Sequence, residues 1–297
     1  MDLASLAVLR AVALEQSVTR AAARLGRAPS NVTTRIQQLE EDMGVALFLR
    51  DRKRMVLTAQ GQTFLAYAER ILTLADEARQ VLNPGGPTGM LRIGAMECTA
   101  ASRLPTPLAR YNATWPQVML DLSTAPTRQL IDGVLAHRLD CALIAVPPEE
   151  GWLASDALDM VPMFREELVL ILPPGHPPTQ GPLDIQPRAL AAFAPGCTYR
   201  MLAEDWMARV EGHAGRFAIQ EVKSYHAMFA CTAAGACFSV MPRSVLDLMG
   251  SATPVVAHPL LQVDTHLACR AGFATPAFAA FRDLMLDFST IAQGQGR

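Results

Sequence analysis

Between Ser17 and Arg54 the chain reads SVTRAAARLGRAPSNVTTRIQQLEEDMGVALFLRDRKR, an order that few folds accommodate. It predicts two short helices meeting at a tight turn, followed by a basic hairpin. Ser17 offers an N-cap oxygen to the first helix, TRAAARL, and Gly26 supplies its stop. Pro29 sits where a first-turn proline is tolerated, because the amide it lacks would be unpaired there. In the second helix Val32, Ile36, Leu39 and Met43 recur at three- and four-residue steps and form a buried face. Ser30, Asn31, Thr33, Thr34, Arg35, Gln37 and Gln38 are left as polar groups, and all but Gln37 are expected at base edges and nearby phosphates of a major groove. The hairpin then brings Arg50, Arg52, Lys53 and Arg54, suited to phosphate. Leu3 to Gln16 reads as a buttressing helix, and Val45 to Thr58 as the wing.

Charge distribution agrees. The net charge of −2 argues against attachment to nucleic acid by the whole protein, but residues 1–83 carry +2 and the remainder −4. A slightly basic head on an acidic body touches DNA at one end.

From residue 59 the pattern changes. Phe64, Ala68, Ile71, Ala75, Ala78 and Leu82 repeat as a heptad seam, which predicts a linker helix over 59–83 that pairs two chains. NPGGPTG (83–89) is turn-rich and supplies a hinge linker over 84–89. Beyond it, strand-like runs at 90–95, 118–123, 141–146, 167–172, 217–222 and 237–242 alternate with helix-like segments, which predicts parallel sheets covered by helices.

The order Ala21–Ala22, Leu25, Val32, Ile36, Leu39–Glu40, Gly44, Leu47–Phe48, Arg50, Leu57–Thr58, Gly61 resembles the LysR-type transcriptional regulators. One departure stands out: Ala28–Pro29 replaces the family's usual Ser-Gln, so that glutamine contact is missing. The resemblance implies an α/β fold class with an all-α, winged N-terminal domain: a winged helix–turn–helix (1–58), a dimerising linker helix (59–83), and a two-lobed, periplasmic-binding-protein-like effector domain (90–297). Its first subdomain would take 90–165 and 267–297, and its second 166–266. The implied partners are promoter DNA, a small-molecule effector and further copies of the chain, as a homodimer and then a homotetramer. The strings ECTAA, APSN, CTYR, SYHAM and VMPRSVL are similar to a subgroup that includes the putrescine-utilisation regulator.

In open α/β sheets a ligand lies beyond the C-terminal strand ends, where helix N-termini point spare amides. That rule selects Glu97, Cys98, Thr99 and Ser102, then Thr124 and Thr127, then Val146, and from the second half Thr198, Tyr199, Arg200, Ser224 and His226. In the resembled family hydroxyls after the first strand hold effectors, which carries over to Thr99 and its neighbours. Glu97 facing Arg200 across the pocket would suit an amine or amino acid. A thiol-based redox sensor using Cys197 at a helix start is the alternative, although Trp206 stands where a resolving cysteine would be needed.

Other classes find little footing. No G-x-S-x-G, H-E-x-x-H or P-loop pattern occurs and the six histidines are scattered, so no enzyme, metal or cofactor is expected. The six cysteines form no CxxC, no apolar run reaches membrane-spanning length, and the N-terminus lacks a signal-peptide pattern. A cytoplasmic, membrane-free protein is expected.

Overall fold

The structure is a computed structural model that describes residues 1–51, 54–83, 85–147, 156–208, 217–250 and 254–294, with the side chains of Arg50 and of 290–294 outside that description. Backbone contacts divide the chain into two units, Met1–Pro84 with Ala136–Arg138, and Gly85–Leu135 with Leu139–Arg297.

In the first unit α1 (Leu3–Glu15) starts at Asp2, whose carboxylate accepts from the Ser5 N–H at 2.6 Å. Helix α2 (Val18–Leu25) is capped by Ser17 and closed by Gly26 at φ +62°, a left-handed conformation that favours glycine. Helix α3 (Pro29–Met43) begins with Pro29 at its first position and buries Val32, Ile36 and Leu39 against α1, whose Leu6, Leu9 and Val12 are fully buried. The wing pairs β1 (Phe48–Asp51) with β2 (Arg54–Leu57), Phe48 opposite Leu57. Glu40 explains its place in the motif, since its carboxylate accepts from the backbone N–H groups of Leu47 (2.7 Å) and Phe48 (3.0 Å) and fixes the wing to α3.

Helix α4 (Ala59–Val81) is capped by Thr58, which accepts from the Gly61 N–H at 2.9 Å. The expected seam divides along this helix. Phe64 and Ala68 pack into the core of the head, together with Leu72, because the first turns of α4 complete that core. The outward apolar stripe is Tyr67, Ile71, Leu74, Ala78 and Val81, again stepping by four and three. Ile71 and Ala78 of the expected seam lie on this exposed stripe, and Leu82 is exposed beyond it.

The second unit holds one sheet in the order β4-β3-β5-β10-β6-β9-β7-β8. Its strands are β3 (Gly89–Ala95), β4 (Val118–Thr124), β5 (Cys141–Val146), β6 (Leu158–Leu172), β7 (Ala189–Ala192), β8 (Ala218–Glu221), β9 (Phe238–Pro242) and β10 (Val256–Arg270). Strand β3 runs parallel to β4 and β5, and β7 parallel to β8 and β9, but β6 and β10 are long antiparallel partners that run between these two halves. The sheet is therefore mixed, correcting the all-parallel expectation. Arg165 and Asp264 face each other on the two long strands, their side chains 2.8 Å apart.

Around the sheet lie α5 (Glu97–Ser102), α6 (Pro105–Thr114), α7 (Thr127–Leu135), α8 (Thr198–Ala208), α9 (Tyr225–Ala233), α10 (Arg243–Leu248) and α11 (Pro276–Gly294). Between β3 and β4 the chain forms two helices rather than one, because Pro105 cannot continue a helix arriving from Ser102. Apolar packing centres on Tyr111 and Phe281 in one cluster and on Phe238 and Met241 in the other. Among the described residues no helix is long and apolar enough to cross a membrane.

Candidate functional site

Polar side chains cluster on two surfaces, one in each unit. On α3, Ser30, Asn31, Thr34 and Gln38 stand exposed on the side opposite the buried face. Two expected contacts are already engaged. Thr33 Oγ1 donates to the Pro29 carbonyl at 3.1 Å, one turn back. Arg35 Nη1 donates to both Asp2 carboxylate oxygens at 3.1 Å and to Ser5 Oγ at 3.2 Å, so its guanidinium braces α3 against α1. The Ser5 amide and hydroxyl, with Arg35 beside them, pull the Asp2 carboxyl down to about 2. Arg27, not anticipated from the sequence, lines the same groove as Asn31, Thr34 and Gln38. At the wing Arg54 is exposed and Arg50 pairs with Met55 through the β1–β2 register. Arg52 and Lys53 lie outside the described residues.

The second surface is a pocket of about 150 Å³ at the C-terminal strand ends. Glu97, Thr124, Thr127, Tyr199 and Lys223 bring the polar atoms; Met96, Ala125, Pro126, Phe193, Cys197 and Tyr225 make the rest apolar. Four of the expected residues, Glu97, Thr124, Thr127 and Tyr199, are thus brought together.

Glu97 opens α5 and its carboxylate accepts from the Tyr225 backbone N–H at the start of α9. Burial pushes its pKa up, with the Tyr225 amide and the charge of His226 working in the other direction. Thr127 opens α7, is 1% exposed, and its Oγ1 is buried with no hydrogen-bond partner among the described residues. A buried hydroxyl left unpaired is costly, so this atom is poised for a partner entering the pocket.

The other expected residues do not line it, for identifiable reasons. Cys98 and Thr99 are buried behind Glu97, their side chains 3.7 Å apart. Ser102 Oγ donates to the Cys98 carbonyl, and Thr198 Oγ1 to the Ala145 carbonyl. Val146 is half-buried on β5, outside the lining. Ser224 caps α9 by accepting from the Ala227 N–H, and His226 is exposed one position beyond Tyr225. Arg200 donates to Glu204 (2.8 Å) and to the Phe193 carbonyl (2.9 Å), with Glu221 at 3.7 Å, so its charge is spent inside its own lobe. Lys223, exposed at the pocket, is the cation the sequence reading missed. Cys197 also departs from expectation. Burial raises its thiol pKa more than the Arg200 and Tyr199 amides lower it, so a thiolate there is disfavoured.

Comparison with known proteins follows the same division. Residues 84–289 match the LysR substrate binding domain, and residues 3–62 match the model for bacterial regulatory helix-turn-helix proteins of the lysR family. The HTH-type transcriptional regulator GltR of Bacillus subtilis (strain 168) is 35% identical over 298 residues, covering 97% of each chain. The YofA regulator of the same organism is 33% identical over 293 residues, covering 95% of this chain and 98% of its own. Among solved structures, a full-length OxyR variant from Pseudomonas aeruginosa superposes with a TM-score of 0.72 at 23% identity, covering 96% of this chain and 94% of its own. Full-length CbnR in complex with its target DNA gives 0.66 at 24% identity, covering 97% of this chain and 100% of its own. These two likenesses concern the fold. The finer subgroup suggested by the short strings gains no support from these matches.

Proposed function

Because the chain belongs to the LysR family, and is therefore a DNA-binding transcriptional regulator with an effector-binding domain rather than an enzyme, we propose that its effector is a small zwitterion of amino-acid size. The observation that carries this is the unpartnered Thr127 hydroxyl, set in a pocket whose polar lining includes both an acid, Glu97, and a base, Lys223. Lys223, the Thr127 hydroxyl and the N-terminus of α7 take the carboxylate. Glu97 takes the ammonium, and Phe193 with Tyr225 packs against what remains. A cavity of about 150 Å³ is the size that holds a benzene-sized molecule, which limits the ligand to a small metabolite.

At the head, Ser30, Asn31, Thr34 and Gln38 meet base edges, while Arg54, with Arg50, Arg52 and Lys53, meets phosphate. The stripe Tyr67, Ile71, Leu74, Ala78 and Val81 on α4 supports pairing of two chains, which offers two reading helices to two half-sites. Assembly to a homotetramer and work in the cytoplasm, where promoter DNA is, complete the reading.

The test is a thermal-shift panel of amino acids, diamines and dicarboxylates on the full chain. A ligand at about a hundred times its dissociation constant adds about 2.7 kcal/mol, several degrees of melting temperature. Amino acids should shift the melting point, and Glu97→Gln and Lys223→Gln should each reduce the shift. Since burial raises the Glu97 pKa, its ionised form is disfavoured in the empty pocket and the apo protein loses stability as pH rises through that pKa. An ammonium ligand compensates, so the shift should grow across the same window. A panel in which diamines alone act would remove Lys223 from the site; one in which dicarboxylates alone act would remove Glu97.

A further inference from the structure

Behind one wall of the effector pocket lies a smaller, apolar gap. Its volume is about 10 Å³, and Leu190, Ala191, Ala203, Met228 and Val240 line it, all of them buried, where β7 and β9 meet α8 and α9. The residues explain why it is there. Strand β7 reads ALAA and α8 brings Ala203, so alanines stand where larger side chains would close the packing. A gap of this size is at the lower limit for one water, and these five side chains give water no good partner, so its walls simply forgo contacts. Hydrocarbon filling the gap gains free energy, whereas an unpaired polar group placed there loses it. The gap also adjoins the pocket, since Phe193, Cys197, Tyr199 and Tyr225 line both. Phe193 and Tyr225 meet edge to face, ring centroids 4.8 Å apart at 76°. Phe193 is half-buried and follows the last residue of β7, so its ring can turn without moving the strand. Arg200, the charged side chain beside the gap, donates to Glu204 and to the Phe193 carbonyl.

We propose that this gap is the subsite for the effector's side chain, and that the effector is an α-amino acid with a short aliphatic side chain. The inference rests on the zwitterion reading of the pocket. With the ammonium on Glu97 and the carboxylate on Lys223 and Thr127, the remaining substituent of the α-carbon faces Phe193 and Tyr225. The Phe193 ring turns aside and a side chain of two or three carbons enters between Ala203 and Met228. Ala203 and Val240 set the length that fits. A hydroxyl, carboxylate or ammonium at the end of that side chain would be withdrawn from water among apolar groups, which selects against polar amino acids of the same shape.

The test is titration calorimetry on the full chain with glycine, alanine, 2-aminobutyrate, norvaline and norleucine, and with serine, glutamate and lysine beside them. Affinity should rise about fourfold with each carbon from glycine to norvaline and fall at norleucine. Serine, the isostere of 2-aminobutyrate, should bind about tenfold more weakly than it. Val240→Ala deepens the gap and should move the optimum to norleucine, whereas Ala203→Val fills it and should move the optimum to alanine. The series on the unmutated chain decides the matter whether or not these two core variants fold. Serine binding as tightly as 2-aminobutyrate, or glutamate or lysine binding more tightly than norvaline, overturns the subsite and leaves the zwitterion reading in place. An optimum unmoved in both folded variants does the same. If diamines or dicarboxylates bind and no α-amino acid does, both readings fall.

Discussion

The DNA-facing head and the ligand pocket handle their polar groups in opposite ways. Ser30, Asn31, Thr34 and Gln38 sit in water on a helix whose other face carries the packing. Thr127 and Tyr199 are buried and Glu97 half-buried, and the Thr127 hydroxyl has no hydrogen-bond partner among the described residues. A surface that reads a polymer keeps its groups hydrated at no cost to folding, whereas a closed pocket carries a desolvation cost until it is filled. Function and stability should therefore separate in the head and be coupled in the pocket.

The largest effect expected is at the backbone that holds the head together, away from its reading face. A Cβ on Gly61 would stand 2.0 Å from the Leu47 carbonyl oxygen, which accepts from the Thr58 N–H at 3.0 Å. Both sides of that approach are backbone, so no rotamer change relieves it, and α4 must move off the wing. Gly61→Ala should destabilise the head by about 3 kcal/mol and abolish DNA binding, while ligand-induced stabilisation of the effector domain persists. Calorimetry of the full chain with and without ligand measures both. Loss of the ligand response as well would mean that the two regions do not separate.

Thr127→Val is the sharper test of the pocket. The methyl group replaces a buried hydroxyl that has no partner, so the ligand-free protein should gain about 1 kcal/mol and the ligand-induced shift should shrink. Urea denaturation with and without ligand reads the two changes together. A less stable apo protein with an intact ligand response would show that the hydroxyl is satisfied within the fold, and that the pocket resembles the head after all.

The same contrast explains what could be read from the residues. In the head every signal is local: Ser17 and Gly26 bound α2, Pro29 and Gly44 bound α3, and Glu40 and Gly61 make their contacts with nearby backbone. In the effector domain β10 is not legible because His258, Pro259, Asp264 and His266 interrupt any alternation, and its pairing with β6 and β5 makes it a strand. Strand β7 is ALAA, with no β-branched residue to mark it. Of the residues the strand-end rule selects, Glu97, Thr124, Thr127 and Tyr199 share one pocket, but hydroxyls such as Ser102 and Ser224 are consumed by helix backbone, the commoner fate of their type. Arg200 could have been discounted, since Glu204 stands four residues on, at ion-pair spacing along a helix. Lys223 was missed by one position, lying just ahead of the Ser224 cap.

The smallest expected change in stability is on α3, and there the functional change should be clear. Asn31 is exposed, and Asn31→Ala should alter folding stability by no more than about 0.5 kcal/mol. If it reads bases, the variant should lose discrimination at one operator position, about 1–3 kcal/mol between right and wrong base pairs. Arg54→Ala, on the exposed wing, should instead weaken binding to every sequence alike and reduce the salt slope by about one unit. Binding titrations against an operator and single-base variants at several salt concentrations separate the two. If Asn31→Ala lowers affinity uniformly, α3 lies on the backbone and the reading falls to other residues of the groove, Arg27 first, because it shares that concave face with Thr34 and Gln38.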